Sequence, residues 1–299
     1  MATLYTHADS NIRKTWFLIT LFLIFIIALG WLLSYLLDNT FFLILAVVLS
    51  TVQAFASYWY SDKIVLAMTG AHEVEKSDNP ELYRIVENLA IAAGLPLPRI
   101  YILEEPQPNA FATGRDPEHA VVAVTRGLLE KLDRAELEGV IAHELSHIGN
   151  KDMLLDSALV VLVGVVSLLS RMFLRFSYFG GSRRRRDSRE SRKGSILMLL
   201  GIVGAVLAPL VALLIRMAVS RKREFLADAE GALLTRYPEG LAQALEKIAS
   251  DPSKISRLQH STAHLYISNP FRQENWLANM FSTHPPVEER VKALRGMEV

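Results

Sequence analysis

The stretch Val140-Ile141-Ala142-His143-Glu144-Leu145-Ser146-His147-Ile148 is the part of the chain from which the fold can be worked out. Residues four positions apart lie on one face of a helix, so the side chains of His143 and His147 can bind the same ion. Two histidines suit a tetrahedral zinc site that keeps a position for water. Glu144 follows the first histidine directly and can take a proton from that water. The spacing therefore predicts a zinc site on a helix, with a base beside it.

The residues around the motif predict that helix. Asp133 suits the N-cap, and Glu136 stands three residues later, as in a capping box. Apolar residues recur at helical spacing, at Leu137, Val140, Ile141, Leu145 and Ile148. The alternative is a pair of solvent-facing histidines on an amphipathic helix, because a short motif also arises by chance. The helix signals and a downstream third ligand favour the zinc site. Asn150 and Asp152 are expected only to cap or brace the end of the helix.

The composition is that of a membrane protein. The chain has 299 residues, of which 51% are hydrophobic, and a mean hydropathy of +0.24. These values are too apolar for an ordinary soluble protein. A net charge of +1 gives no electrostatic case for binding nucleic acid. The chain has no cysteine, which excludes disulfides and thiolate zinc sites, so a metal must be bound by His, Asp or Glu.

Two apolar segments at the start predict a membrane hairpin over residues 1–60. The segments 16–37 and 41–60 are each long enough to cross a bilayer. The link Asp38-Asn39-Thr40 is so short that the two helices must be antiparallel. The first segment is longer than the apolar region of a signal peptide, which favours a retained anchor.

Residues 61–153 have the composition of a soluble domain and form the first part of the predicted catalytic domain. Asn79 caps a helix that starts at Pro80 and ends at Gly94. Segments 99–103 and 120–125 are predicted strands. The proline-containing segment between them is an edge strand or a loop.

The remainder is predicted to hold a second hydrophobic hairpin, over residues 154–219, with a basic loop at 175–195. This loop is read as a flexible, solvated linker that can touch anionic lipid headgroups. Residues 220–299 form the second part of the catalytic domain. The fold class is therefore a mainly α membrane protein. It has four hydrophobic helices and an α+β zincin (gluzincin-like) catalytic domain built from two chain segments.

The third zinc ligand is predicted to be Glu224. Glu224 and Asp228 lie four residues apart, on one face of a helix. Asp228 can then accept the N–H of a ligating histidine and fix its tautomer. The alternative is a pair of surface carboxylates beside two arginines. Glu230 lies on another face of the helix, so its replacement is expected to weaken zinc binding far less than that of Glu224.

These residues together resemble the integral-membrane zinc metalloproteases of the HtpX type, within the wider group that includes the CAAX prenyl proteases. The resemblance covers nearly the whole chain. Its specific parts are His143 to His147, Arg223-Glu224-Phe225-Leu226-Ala227-Asp228, and Ser282-Thr283-His284-Pro285-Pro286 with Arg290.

The resemblance implies roles for named residues. His143, His147 and Glu224 would bind one zinc ion, and Glu144 would be the catalytic carboxylate. Five further residues carry the remaining implications: His284 and Arg290 near the metal, and Asn109, Ala110 and Phe111 as an edge strand that pairs with extended substrate. Strand addition binds a peptide through its main chain. His284 beside two prolines is equally consistent with a structural histidine.

The predicted mechanism is hydrolysis of a peptide bond, with Glu144 moving the proton from water to the leaving amine. A second donor to the reacting carbonyl oxygen is expected. The sequence offers four candidates for it and does not choose: His264, Tyr266, His284 and Arg290.

The predicted location is the bacterial plasma (inner) membrane, with several crossings and a cytoplasmic catalytic domain. The basic loop would then lie outside, against the positive-inside rule. Either the third and fourth segments do not fully cross, or the first hairpin fixes the orientation. The expected partners are polypeptide substrates, notably membrane proteins, and membrane lipid, in protein quality control under stress. The alternatives are a catalytically silent membrane scaffold that retains the zinc site, and a transporter that uses Asp156.

Overall fold

The computed structural model describes residues 4–179, 221–253, 262, 265–267 and 285–297; within its helices the side chains of 4–7, 36–37 and 167–179 are not described. In chain order the elements are helices and strands with the following bounds: α1 Leu4–Leu37, α2 Phe41–Trp59, α3 Ser61–Thr69, β1 His72–Glu73, α4 Pro80–Ala93, β2 Arg99–Leu103, β3 Ala110–Thr113, a 3₁₀ turn Pro117–His119, β4 Val121–Thr125, α5 Arg126–Lys131, α6 Arg134–Gly149, α7 Asp152–Phe179, α8 Arg221–Thr235, α9 Pro238–Ser250 and α10 Val287–Arg295.

Helices α1 and α2 form the predicted N-terminal hairpin. Within the described residues, Ala8–Tyr35 and Phe41–Trp59 are long and apolar enough to cross a membrane. Asp38 takes a positive φ of 48° in the short link between them. Trp16 stacks on Tyr58 with ring centroids 5.1 Å apart, so the start of α1 lies beside the end of α2. Helix α1 begins at Leu4, well before the apolar segment, because the polar residues ahead of it are helical too.

The sheet has the order β1-β2-β4-β3. Strands β2 and β4 are parallel, while β1 and β3 run antiparallel to their neighbours. All five residues of β4 are buried, as its continuous apolar run predicts. Strand β3 pairs with β4 alone among the described strands, so it is an edge strand. That outcome confirms one of the two interpretations of the proline-containing segment.

Three apolar clusters hold the elements together. The main core joins α4, α6, α9 and α10 to one face of the sheet. A second cluster, which includes Phe22 and Leu159, packs α1 and α2 against α7. A third, which includes Phe111 and Val160, packs the other face of the sheet against α3 and α7. The sheet is thus held between a soluble core and the helices that lead from the hairpin.

The second hydrophobic hairpin is described only in part. Helix α7 covers the third apolar segment, and its side chains from Met153 to Leu155 are buried. The basic loop and the fourth segment lie outside the described residues, so four hydrophobic helices remain a prediction. The short elements α3, α5 and β1 are additions that the sequence patterns do not predict.

Candidate metal centre

Helix α6 forms as its end signals predict. The Asp133 carboxylate accepts the N–H of Glu136 at 3.0 Å, and the Glu136 carboxylate accepts the N–H of Asp133 at 2.8 Å. The predicted capping box is confirmed. The helix ends at Gly149, and Lys151 takes a left-handed φ of 55° before α7 starts. This sharp turn brings the first residue of α7 back towards the last turn of α6.

Helix α8 approaches α6 very closely at one glycine. A Cβ atom on Gly231 would lie 2.9 Å from the backbone nitrogen of His143, closer than real Cβ contacts allow. Only glycine therefore permits this packing without displacing the helices. The approach places Glu224, two turns earlier on α8, over the face of α6 that carries the two histidines.

The donor atoms of His143, His147 and Glu224 all lie within 4.8 Å of one another. The two Nε2 atoms are 3.2 Å apart, and Glu224 oxygens lie 3.9 Å from Nε2 of His143 and 3.7 Å from Nε2 of His147. Donors bound to zinc at about 2.0–2.1 Å in a tetrahedron lie about 3.3–3.4 Å from each other. The two Nε2 atoms are already close to that spacing, and the Glu224 oxygens would have to move a few tenths of an ångström closer to bind the same ion.

A carboxylate holds each histidine from behind. Nδ1 of His143 donates to Asp228 at 2.9 Å, the contact that the sequence predicts. Nδ1 of His147 donates to Asp152 at 3.0 Å. In its neutral form each ring then carries its proton on Nδ1 and presents the lone pair of Nε2 to the shared centre. Asp152 is the residue that sequence reasoning missed, since it was expected only to brace a helix end.

Both carboxylates are themselves held by buried partners. Arg290, which is 0% exposed, donates to Asp228 from Nε at 2.8 Å and from Nη2 at 2.7 Å. Its Nη1 donates to the carbonyl of Ile267 at 3.0 Å. Nη2 of Arg290 also lies 3.5 Å from Nδ1 of His143. Its guanidinium is committed to Asp228 and Ile267, which makes it a brace behind His143 and a poor donor to a substrate carbonyl.

Besides His147, Asp152 has partners from two other parts of the chain. Arg223 of α8 donates to it at 3.2 Å and also reaches Asp156 of α7 at 3.2 Å. Asn11 of α1 donates from Nδ2 to Asp152 at 2.6 Å and to the carbonyl of Asn150 at 3.1 Å. Asn11 is buried, so its amide nitrogen makes these two hydrogen bonds away from solvent. The first helix of the hairpin therefore reaches the group that orients His147.

The electrostatics of the cluster favour a bound cation. Burial lowers the pKa of His143 to about 4, against the opposing effect of its hydrogen bond to Asp228, so this ring is neutral. Burial alone would raise the pKa of Asp228, but the charge of Arg290 lowers it to about 2. Burial alone would lower the pKa of His147, but Asp152 and Glu224 raise it to about 10. A site that retains a proton so strongly has the negative potential that a divalent cation would satisfy.

Glu144 lies at the wall of a cavity next to this cluster. Its side chain is 2% exposed, and burial raises its pKa to about 7. The carboxylate accepts the backbone N–H of Ala112 on β3, which ties it to the edge strand. The cavity has a volume of about 20 Å³, enough for roughly one water molecule. It is lined by Ala112, His143, Glu144, His147, Met153, Asp156, Glu224, Leu265 and Ile267.

The edge strand is less open than predicted. The carbonyl of Asn109 accepts the N–H of Thr125, so its backbone faces β4. The side chain of Phe111 packs edge-on against Tyr266 with ring centroids 5.4 Å apart. Backbone groups alternate along a strand, so Ala110 and Ala112 point outward. The carbonyl of Ala110 already accepts the N–H of Ile267 at 2.9 Å, so a peptide has to pair beside or in place of this segment.

Comparison with known proteins identifies the family. Residues 76–298 match the family model described as peptidase family M48. The chain belongs to peptidase family M48. It is 44% identical over 302 residues to the protease HtpX homolog of Caldanaerobacter subterraneus subsp. tengcongensis, with 99% of each chain covered. It is 46% identical over 297 residues to that of Dictyoglomus turgidum, with 99% of this chain and 95% of the relative covered.

The resemblance inferred from the sequence is thus confirmed, and this M48 chain is a membrane-associated metalloprotease that acts on polypeptides. The solved structure of Ste24p from S. mikatae is also similar, with 19% sequence identity and a TM-score of 0.49. That match covers 97% of this chain and 67% of the Ste24p chain.

The other three candidates for the second donor to the carbonyl oxygen are His264, Tyr266 and His284. His264 and His284 lie outside the described residues. Tyr266 is buried against Phe111, and burial raises the pKa of its hydroxyl. Glu230 lies on a face other than that of Glu224, and its carboxylate accepts hydrogen bonds from Ser146 and Asn150 on the back of α6. The second helical face that carries Glu230 packs against α6 as well.

Proposed function

We propose that this chain is a membrane-bound zinc endopeptidase in which His143, His147 and Glu224 bind one zinc ion. The observation that carries the proposal is the convergence of three donors within 4.8 Å, with each histidine oriented by its own buried carboxylate. The donor set of two imidazoles and one carboxylate is typical of catalytic zinc sites, which keep a position for water. Asp228 and Asp152 keep both rings in the tautomer that binds a metal.

Glu144 is the proposed general base and acid. Zinc bound at this site would supply acidity to water and polarise the carbonyl of the scissile bond. The Glu144 carboxylate takes the proton of the attacking water and later delivers it to the leaving amine. The N–H of Ala112 holds this carboxylate beside the cavity, at the edge strand. Arg290 acts as a positioning residue through Asp228 and His143, and the second donor to the carbonyl oxygen is left to His284 or His264.

The proposed substrate is an extended polypeptide that pairs with the outer edge of β3. Asn109, Ala110 and Phe111 build this strand. The Ala110 carbonyl accepts from Ile267 and the Ala112 N–H donates to Glu144, so the outward carbonyl of Ala112 is the group proposed to start the main-chain pairing. Pairing of this kind binds a peptide without selecting its sequence, which suits unfolded and varied substrates. Membrane proteins with exposed loops, cleaved in quality control under stress, are the substrate class we favour.

The proposed arrangement in the bilayer has a transmembrane hairpin at 1–60 and a second hydrophobic hairpin at 154–219. The catalytic domain is then built from 61–153 and 220–299 on one face of the membrane. We place that face in the cytoplasm of a bacterial inner membrane, because the basic residues that flank the spans on the catalytic side favour it. They are Arg13, Lys14, Lys63, Lys151, Arg221, Lys222 and Arg223.

The test is hydrolysis of an unfolded membrane-protein substrate by the purified zinc-loaded protein and by Glu144→Gln. We expect the variant to keep its zinc and to lose activity, because the three donors are intact while the base is gone. Glu130→Gln, an exposed carboxylate on α5, is the matched control and should match the parent. Substantial hydrolysis by Glu144→Gln would remove Glu144 from the mechanism. A zinc-loaded parent that cleaves nothing would favour the silent scaffold.

A further inference from the structure

A second cavity lies at the end of the hairpin, away from the metal centre. Its volume is about 550 Å³, within the size range of small-molecule sites. It is lined by Phe55, Trp59, Tyr60, Asp62, Lys63, Leu97, Arg99, Arg115, Glu118, His119 and Ala120. We call this the interfacial pocket. Neither the metal centre nor the edge strand uses any of these side chains.

The pocket sits at the depth of the membrane surface. Phe55 and Trp59 belong to the last turns of the candidate span α2, and they are 56% and 45% exposed. Tyr60 follows at once and is also exposed. Aromatic side chains at the end of a span mark the level of the lipid headgroups. One wall of the pocket is therefore built from the residues that meet that layer.

The opposite wall is a rigid loop between β3 and β4. Gly114 has a φ of 143°, and a Cβ there would lie 2.7 Å from the carbonyl oxygen of His119, so the chain turns back tightly on itself. Asp116 accepts the N–H of His119 at 2.9 Å and closes the turn. Arg115 is thereby held with its guanidinium 4.8 Å from the centre of the Trp59 ring. The pocket is formed before any ligand arrives.

The pocket contains two arginines that are paired with carboxylates and two further charged side chains that are not. Arg99 is paired with Asp62 at 2.8 Å, and Arg115 with Asp116 at 3.2 Å. Within the described part of the chain, Lys63 and Glu118 pair with no opposite charge. Lys63 instead lies over the ring of Tyr60, with Nζ 5.4 Å from its centre. The pocket thus offers one uncommitted cation and one uncommitted anion, with aromatic faces beside them.

We propose that the interfacial pocket binds the headgroup of a zwitterionic aminophospholipid. The lipid phosphate would accept hydrogen bonds from Lys63 and from Nη1 of Arg115, since Nε of Arg115 donates to Asp116 and Nη2 contacts His119. The ammonium group would pair with Glu118 and lie near the ring of Trp59. The acyl chains would continue along the exposed face of Phe55. An anionic lipid lacks the ammonium group and leaves Glu118 facing a negative charge.

Such a lipid would set the position of the edge strand. Arg115 is two residues beyond the end of β3, so a bound headgroup holds the far end of the strand at the membrane surface. The inference rests on the proposed membrane placement of α1 and α2, and it is independent of the protease chemistry. Lipid binding and peptide hydrolysis are measured separately, so the failure of one is distinguishable from the failure of the other.

The test titrates the purified full-length protein in detergent with phosphatidylethanolamine or phosphatidylglycerol and measures bound lipid by native mass spectrometry. The parent should prefer phosphatidylethanolamine. Lys63→Gln should weaken both lipids by about tenfold, since both present a phosphate. Glu118→Gln should weaken phosphatidylethanolamine alone by about tenfold and leave phosphatidylglycerol unchanged or tighter. This crossed pattern is specific to a zwitterionic headgroup.

Matched controls separate the pocket from the general surface. Lys292→Gln and Glu130→Gln remove exposed charges elsewhere and should bind both lipids like the parent. Unchanged zinc content and peptide hydrolysis in all variants show that the fold is intact. Equal loss of both lipids in Glu118→Gln, or no loss in either pocket variant, would overturn the proposal. Binding of free phosphoethanolamine as tight as that of the lipid, or displacement of lipid by a peptide substrate, would overturn a lipid as the occupant.

Discussion

Replacing Asp152 with asparagine tests whether the carboxylate behind His147 sets the metal affinity. One oxygen of Asp152 accepts hydrogen bonds from Asn11 and Arg223, and the other accepts the N–H of His147. In the variant, the amide oxygen has to stay with these two donors. The new NH₂ group then faces Nδ1 of His147. The ring must accept there, which moves its proton to Nε2, the atom that faces the metal.

The expected size of the effect follows from this change of tautomer. Loss of a group that orients a metal-binding histidine weakens metal affinity by about 10–100-fold, or about 1.4–2.7 kcal/mol. We expect the upper part of that range, because the substitution inverts the tautomer and does more than remove a contact. Zinc should therefore also stabilise the variant against thermal unfolding less than it stabilises the parent, by the same free-energy difference.

The assay is chelator competition for zinc on the full-length protein in detergent. Asp9→Asn is the control, since Asp9 is an exposed carboxylate on α1 close to Asn11. It should bind zinc like the parent. If Asp152→Asn also bound zinc like the parent, Asp152 would not set the tautomer of His147, and Asp228 would be the only carboxylate shown to orient a histidine of the site.

The remaining predictions concern the third ligand, proton release and the position of cleavage. Glu224→Ala should lose more affinity for zinc than the 10–100-fold of an orienting group, while Glu130→Ala should lose none; equal occupancy would place the third ligand elsewhere. At pH 8, zinc binding should release about one proton, because the pKa of His147 is raised to about 10 and that of His143 is lowered to about 4. Lowering the pH should therefore weaken zinc binding. Calorimetry in buffers of different ionisation heat measures the number of protons released, and a release of no proton would contradict these protonation states. Cuts in a membrane substrate with a long soluble tail should cluster near the bilayer, because α7 starts five residues after His147; cuts confined to the distal tail would contradict this placement.

The parts of the site that the sequence predicts are those with local signals. The capping box at Asp133 and Glu136 lies three residues apart, so it is visible without knowledge of the fold. The histidines and the pair Glu224 and Asp228 are also spaced by one helical turn. The packing of α8 against α6 is predicted only because a zinc site on α6 requires a third protein ligand.

What could not be predicted depends on long-range packing. Asn11 and Asp152 are 141 residues apart in the chain, and neither belongs to a motif. Helical spacing separates Glu230 from Glu224 but does not reveal that the face carrying Glu230 also packs against α6. The partial covering of the edge strand by Ile267 likewise arises from a segment more than 150 residues away.

The contact of Asn11 changes what the N-terminal hairpin is for. A plain anchor could be exchanged for any other apolar helix of the same length, or removed to give a soluble enzyme. Here the first helix carries an amide that holds the brace of His147. A chain shortened to begin at the soluble domain would keep all three proposed metal ligands but lose the hydrogen bond from Asn11 to Asp152. Any force that tilts or shifts this helix in the bilayer acts on that brace, so the state of the membrane has a direct mechanical route to the metal centre.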